Sequence, residues 1–234
     1  MPALRGVAGS LVYVLDTEAA KTIWQDEFQL DEPSAQPRVD ILAIDHLAAT
    51  VHHDEFLSWQ LYWRALFDVQ QQATQDVIDP NGLVQSQAIQ NRDGSFRITL
   101  NSTDAPGALS ARFLMQSFGA GFQHIAFRVR DVAETAAALT ARGLERLPIP
   151  ANYHDDVAAK FGLSDDEATV LRRYGILIDE EAPGRRYHQL YSRAFARTFF
   201  FEFVDRAAYD GYGAPNAPIR LTAQNRFRPA PSLD

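Results

Sequence analysis

The sequence predicts an α+β fold in which two βαβββ modules pair into one sheet that curls as an open, cup-shaped barrel. Three observations predict it. The segments "IDHLAATV" (44–51) and "FQHIAFRV" (122–129) repeat one pattern, apolar–polar–His–apolar–Ala. Each leads into a helical pattern and then into further strands. Finally, "RTFFFEFVDR" (197–206) reads as the closing strand of the second repeat and sets one glutamate among four phenylalanines.

In chain order, residues 1–37 read as a leading strand and connector. The run "GSLVYVLD" (9–16) is strand-like, while residues 17–40 are polar, contain Pro33 and Pro37, and read as an irregular link. The main domain is expected over 38–226. Its first module, about 38–110, opens with the strand of "VDILAIDHLAATV" (39–51). In "DEFLSWQLYWRALFDV" (54–69), Phe56, Trp59, Trp63 and Leu66 fall at helical spacing. "LVQSQAIQ" and "FRITLN" flank the turn "NRDG" (91–94) as a hairpin. The second module, about 121–206, starts with "FQHIAFRV" and continues into a helix over 131–143, with Asp131 and Glu134 as a capping box and Gly143 as its stop. An insertion at 149–175 carries two short helices, the second capped by Ser164 and Glu167. The strands of "ILIDE", "YHQLYS" and "TFFFEFV" complete the module. Residues 207–226 form a tail helix region, and the Pro-rich 227–234 is expected to be a disordered tail.

The chain has 234 residues, no cysteine, 46% hydrophobic residues and a formal net charge of -8. Without cysteine there is no disulfide and no thiolate metal site, so a metal must be held by His, Asp, Glu or water. A cysteine-free chain fits a cytoplasmic location. The acidic balance argues against nucleic-acid and anionic-membrane partners. No run of about 18 apolar residues is present, so no transmembrane helix is expected. The opening "MPALRGVAGSLVYVLD" lacks the apolar core of a signal peptide.

Glu202 is the residue that most needs a partner. On a strand, Phe200, Glu202 and Val204 share one face and Phe199, Phe201 and Phe203 the other, so both faces are apolar. A carboxylate buried there must meet a cation such as Arg197 or Arg206, ligate a metal, or stay protonated. His46 and His124 stand at equivalent places in the two repeats. Alternation groups His46 with Ile44 and Ala48, and His124 with Phe122 and Ala126, so all three polar groups project into the cup. A lone histidine in an apolar strand reads as a hydrogen-bonded core residue. Two at matching positions, joined by a carboxylate, read as the facial triad of non-haem Fe(II) oxygenases, which leaves positions open for substrate and O2. Of the others, His52 and His53 are expected in solvent, His154 at a helix start, and His188 as a plain strand residue.

The same segments resemble the vicinal-oxygen-chelate (glyoxalase-like) superfamily and, more narrowly, the 4-hydroxyphenylpyruvate dioxygenase family. "IDHLAATV", "GFQHIAFRV", "LPIPANYHDDVAAKFG", "RTFFFEFVDR" and "GYGAPN" stand in that family's order, and the likeness runs from about residue 5 to about residue 226. The resemblance implies one Fe(II), replaceable by Mg, Mn or Co, held by His46, His124 and Glu202. It implies a small-molecule 2-oxo acid and O2 as reactants, substrate-lining roles for Ser86, Asn101, Gln123, Gln189 and Asn216, and a homo-oligomer. Gln123 sits awkwardly in this set, because it alternates out of phase with His124.

The chain also departs from that family. Its enzymes carry Gly-x-Gly-x-Gly-Asn-Phe near the C-terminus, with the Phe over the aromatic substrate. Here the stretch is "GYGAPNA" (211–217), with Pro215 for a Gly and Ala217 for the Phe, followed by "PIRLTAQ" in place of a Leu- and Phe-rich closing helix. Together with "DPNGLVQSQAI" (79–89), this ending is similar to the dioxygenase-like C-terminal module of bacterial two-domain 3-dehydroshikimate dehydratases. The resemblance implies an N-terminal partner domain that is not in this chain. Three functions follow as expectations. One is an Fe(II) dioxygenase acting on an aromatic or other 2-oxo acid. Another is a non-oxidative metal- and ligand-binding module of a dehydratase of quinate and shikimate catabolism. The third is an interaction domain without metal. The triad with Ser86, Asn101 and Gln189 favours the first. Ala217 and the missing N-terminal domain favour the second.

Overall fold

The computed structural model describes residues 2–29, 39–195 and 198–226. It divides into two units, Met1–Arg38 and Val39–Asp234. In the first, β1 (Ala3–Arg5) and β2 (Leu11–Tyr13) pair antiparallel, and α1 (Ala19–Glu27) follows. This helix occupies part of the stretch expected over 17–40 to be an irregular link. "AAKTIWQDE" contains neither Gly nor Pro and consists mostly of good helix formers. Pro33 and Pro37 lie outside the described residues, as does the tail 227–234.

The second unit carries, in order, β3 (Ile41–Thr50), α2 (Phe56–Leu66), β4 (Gln70–Gln71), β5 (Gln75–Asp79), β6 (Gly82–Gln90), β7 (Arg97–Ser102) and α3 (Leu109–Gln116). There follow β8 (Gly121–Val129), α4 (Val132–Ala141), α5 (Ala151–Phe161), α6 (Asp165–Tyr174), β9 (Leu177–Ala182), β10 (Arg185–Tyr191), β11 (Phe200–Arg206) and α7 (Ala217–Arg226). Among the described residues the strands form one nine-stranded sheet, β4-β6-β7-β3-β8-β11-β10-β9, with β5 on β6. The two halves repeat one plan. Each leading strand, β3 or β8, pairs parallel with the last strand of its own module, β7 or β11. The two leading strands pair antiparallel with each other at the centre. This is the paired-module cup that the internal repeat predicts.

The helices owe their places to caps and apolar stripes. Asp131 accepts from the Glu134 N–H at 2.8 Å to start α4, and Ser164 and Glu167 cap α6 reciprocally. The core of the second module packs Val132 and Ala136 of α4, Val157 of α5 and Leu171 of α6 against Leu177 and Leu190 of the sheet. On α2, Phe56 and Trp63 are buried as expected, but Leu66 is 47% exposed. The helix ends at Leu66, and Phe67 takes the inward position, its ring 5.4 Å from Trp63 and 6.0 Å from Phe96. Among the described residues, no helix is long and apolar enough to cross a membrane.

Register shifts in the β3–β8 pair position the site. Ile44 pairs with Phe127 and His46 with Ala126, so Asp45 is an extra residue in β3. Ala48 pairs with His124 and Ala49 with Phe122, so Gln123 is an extra residue in β8. Each such bulge reverses the alternation beyond it. Ile44 therefore does not share a face with His46, nor Phe122 with His124, contrary to the simple alternating reading. Ile44 is in fact 55% exposed.

Candidate metal centre

His46, His124 and Glu202 are all buried, and one ligand atom from each lies within 4.8 Å of the others. Strand register explains the convergence. Residues paired across strands point to the same face. Glu202 on β11 pairs with Ala126 on β8, and Ala126 pairs with His46 on β3. In the adjacent row, Phe200 pairs with His124 and His124 with Ala48. Ala126 is thus a floor of one methyl group between two ligands, and the space above it is where their side chains meet. Glu202 Oε2 lies 3.4 Å from His46 Nε2 and 3.3 Å from His124 Nε2. Two imidazole nitrogens and one carboxylate oxygen fit a divalent ion such as Fe(II), Mn(II) or Co(II).

The three candidate ligands are held from behind. His46 Nδ1 is 2.8 Å from Asp45 Oδ1. A carboxylate can only accept, so the Nδ1 proton faces Asp45 and Nε2 is turned to the site. Asp45 is gripped in turn by Arg206, with Nε 2.6 Å from Oδ2 and the terminal Nη2 2.8 Å from Oδ1, and by Arg97 at 3.3 Å. Arg206 lies over the Tyr187 ring at 4.5 Å, and Tyr187 stacks on Tyr209 at 4.8 Å. The cation considered as a partner for Glu202 therefore serves Asp45 instead, because the β3 bulge carries that carboxylate to it. Arg197, the other cation considered, lies outside the described residues.

Glu202 uses its two oxygens differently. Oε1 accepts from Gln189 Nε2 at 3.0 Å and from the Tyr191 hydroxyl at 3.1 Å, while Oε2 faces the imidazoles. Gln189 Oε1 accepts from Asn216 at 2.8 Å, and the Tyr153 hydroxyl of α5 stands 3.1 Å from Asn216 Oδ1. Burial pushes the Glu202 carboxyl upward, but the charges and hydrogen bonds of the two histidines outweigh it and hold it well below the usual carboxylate range. Burial pulls His46 down, yet Glu202 and Asp45 raise it above its ordinary value. His124 has no second carboxylate, and burial lowers it to about 4. Among the described residues, its Nδ1 has no hydrogen-bond partner though it is buried.

Above the triad lies a cavity of about 50 Å³. Ser86 and Asn101, cross-strand partners on β6 and β7, line it. Gln123 lines it too, beside His124, because the bulge brings two successive residues of β8 to the same cavity. Gln189 and Asn216 do not line it. They stand behind Glu202 with their side-chain amides engaged within the protein, so the expected direct role against substrate does not match their placement. Sequence reasoning missed Asp45, Tyr191, Tyr153 and Arg220. Only Asp45 carried a readable signal, as a second polar residue in the apolar strand next to His46.

The tail loop touches this support directly. Gly213 has φ +72°, and a Cβ there would lie 2.3 Å from Gln189 Nε2 and 2.6 Å from Tyr187 Cε1. Gly213→Ala is expected to cost about 1–2 kcal/mol for the left-handed backbone alone. It should also push Gln189 off Glu202 and lower the melting temperature by roughly 4 °C or more. A thermal melt unchanged from wild type would contradict this.

The remaining histidines lie elsewhere. His52 and His53 are exposed. His154 lies near the start of α5, as expected, and is buried, with Nε2 3.2 Å from the Ile176 carbonyl. His188 Nδ1 pairs with Asp205 at 2.8 Å.

No protein-family model matches the chain. It is 35% identical to 3-dehydroshikimate dehydratase of Pseudomonas putida over 230 residues, covering 97% of this chain and 36% of that protein. It is 26% identical to 4-hydroxyphenylpyruvate dioxygenase of Legionella pneumophila, covering 97% of this chain and 65% of that enzyme. Among solved structures, a xylose isomerase-like TIM barrel/4-hydroxyphenylpyruvate dioxygenase fusion protein superposes with a TM-score of 0.79 at 33% identity, over 96% of this chain and 36% of that one. A variant of 4-hydroxymandelate synthase from Streptomyces coelicolor shares the fold, with a TM-score of 0.71 at 24% identity over 79% of this chain and 54% of that one. The chain spans about a third of the length of the dehydratases it matches. Sequence and fold converge: the chain has the vicinal-oxygen-chelate fold, is similar in sequence to 3-dehydroshikimate dehydratases and 4-hydroxyphenylpyruvate dioxygenases, and resembles the dioxygenase part of a two-part fusion protein.

Proposed function

We propose that the chain is a mononuclear metal protein of the dioxygenase type, holding Fe(II) through His46, His124 and Glu202 and acting on a 2-oxo acid with O2. The observation that carries this reading is the orientation of the three ligand atoms: each is turned to one point by a partner on its far side or by a ring packed against it. Asp45 holds the His46 Nδ1 proton, Gln189 and Tyr191 occupy Glu202 Oε1, and Phe200 stacks on His124 at 4.6 Å. When bound, the ion supplies open positions for the carboxylate and keto oxygens of the substrate and the electrons that activate O2. Ser86, Asn101 and Gln123 offer hydrogen bonds to the rest of the substrate from the cavity wall. Phe200 and Ala126 present apolar surface at the ligands, which limits water there.

Acid should release the metal, with a defined sign. His46 is protonated up to a pH above its ordinary 6.5 because of Glu202 and Asp45, and that proton must leave before Nε2 can ligate. Below pH 6.5, affinity should fall about tenfold per pH unit, and more steeply near pH 4 where His124 also protonates. Mn(II) or Co(II) titrations at pH 5.5, 6.5 and 7.5 check this. Equal affinities at all three would contradict the proton competition.

The deciding experiment is O2 uptake by the Fe(II)-loaded protein with 4-hydroxyphenylpyruvate and other 2-oxo acids, alongside metal titration. Substrate-dependent uptake supports the oxygenase. The second reading is a metal- and ligand-binding module working beside a dehydratase domain. It is favoured by Ala217, which lines the cavity where a covering Phe would stand, and by the partial span of the matched dehydratases. Metal retained without uptake for any 2-oxo acid would select it. Absence of metal binding would leave an interaction domain.

A further inference from the structure

We infer that Arg220 is a specificity-determining residue that binds a second anionic group of the ligand, so that the site takes a compact, hydroxyl-bearing 2-oxo diacid rather than an aryl 2-oxo acid. This rests on the reading of the triad as the anchor for the 2-oxo acid end.

Arg220 stands in α7, which closes the cavity with Ala217, Arg220 and Leu221. Its guanidinium carbon lies 5.4 Å from the Phe200 ring centre and 5.7 Å from that of Tyr191. Those rings are the ones against the triad, since Phe200 stacks on His124 and the Tyr191 hydroxyl donates to Glu202. The guanidinium is therefore fixed one ring away from the ligands. Its hydrogen bond is to a neutral group, Gln224 Oε1 at 2.9 Å, and among the described residues no carboxylate pairs with it. A half-buried guanidinium of this kind keeps donors in a rigid fork suited to a carboxylate.

The rest of the wall agrees with this. Ser86, Thr99, Asn101, Ser110 and Gln123 give it hydroxyls and amides, and Ala217 removes the bulk that would sandwich an aromatic ring. A monoanionic aryl acid would leave the guanidinium and several of these polar groups facing an apolar ring, which disfavours it.

The test compares 2-oxoglutarate with 2-oxopentanoate, acids of equal chain length that differ in the distal carboxylate, by calorimetric titration of the protein loaded with Mn(II). Wild type is expected to bind 2-oxoglutarate at least tenfold more tightly, with 4-hydroxyphenylpyruvate no better than 2-oxopentanoate. In Arg220→Leu the preference should shrink to within about twofold, and Arg220→Lys should keep part of it. Arg220→Gln serves if the Leu variant does not fold. Equal affinities in wild type, or a preference that survives both neutral variants, would overturn the assignment. Mn(II) titration of the same samples separates this from failure of the triad. If no metal is retained, the pair is titrated into the metal-free protein. A diacid preference lost in Arg220→Leu would then support Arg220 alone, and no preference would overturn both.

Discussion

Glu202→Ala is expected to abolish metal retention while leaving the fold in place. Removing the single anionic ligand leaves two neutral imidazoles, which supply neither the third donor nor the negative charge that offsets a dication in a buried site. Loss of an outer partner of a metal ligand already weakens binding by 10–100-fold, so loss of the ligand itself should weaken it by on the order of 100-fold or more. The most direct readout is metal-linked stability. At a free metal concentration of about 100 Kd, wild type should gain about 2.7 kcal/mol, a rise of roughly 5–10 °C in melting temperature for a chain of this size. The variant should gain nothing at the same concentration. A second substitution reaches the same end with all three ligands kept. Ala126 lies between His46 and Glu202 in the pairing register and has no exposed surface, so Ala126→Leu would fill the space where the ligand atoms meet. If Glu202→Ala shows the full metal-induced rise, the centre is not where the three residues converge.

The positions of the three candidate ligands were legible because they are polar groups standing where burial disfavours them. His46, His124 and Glu202 each interrupt an apolar strand, and the two repeats bring the histidines to matching places. The repeat and the apolar strands around them were enough to single out these three residues. What could not be read was anything that depends on a one-residue slip. The bulge at Asp45 changes which neighbours share a face without changing the composition of the strand, and so does the bulge at Gln123. Alternation therefore misplaced Ile44 and Phe122 and made Gln123 look out of phase. The roles of Gln189 and Asn216 were hidden for another reason. Whether a polar side chain faces a cavity or supports a ligand from behind depends on what stands on its other side, and here that is set by the Gly213 turn and by Tyr153 from the distant α5 insertion. Arg206 likewise looked like a partner for Glu202 because it is four residues away in the same strand, yet its charge goes to a bulged residue 161 positions earlier.

That last pairing yields the second large effect. Asp45→Ala is expected to destabilise the protein by about 3–5 kcal/mol, because it strands buried cations. The Arg206 and Arg97 side chains are only 9% and 7% exposed, and both point at this carboxylate. Without it they would face each other unneutralised, and burial already lowers the Arg97 pKa, with Arg206 adding to the effect. The pH dependence follows from Asp45 itself. Burial pushes its carboxyl up, but Arg206 and His46 outweigh this and hold it far below the ordinary 3.8. Its contribution is therefore fully present above pH 3.8 and is lost as pH falls through the folded-state value. The deficit of Asp45→Ala should be constant between pH 5 and 8 and shrink in acid below about 4. Asp45→Asn separates charge from geometry. Its carbonyl oxygen can still accept the His46 Nδ1 proton, so His46 keeps its orientation and metal is still bound, about 10–100-fold more weakly because the imidazole is less basic. Urea unfolding and Mn(II) titration of the two variants give the readouts. Wild-type stability in Asp45→Ala would mean that water neutralises the arginines and that the carboxylate does not organise this end of the cup. Equal metal affinity in Asp45→Asn would mean that Asp45 serves the fold alone and not the metal ligand beside it.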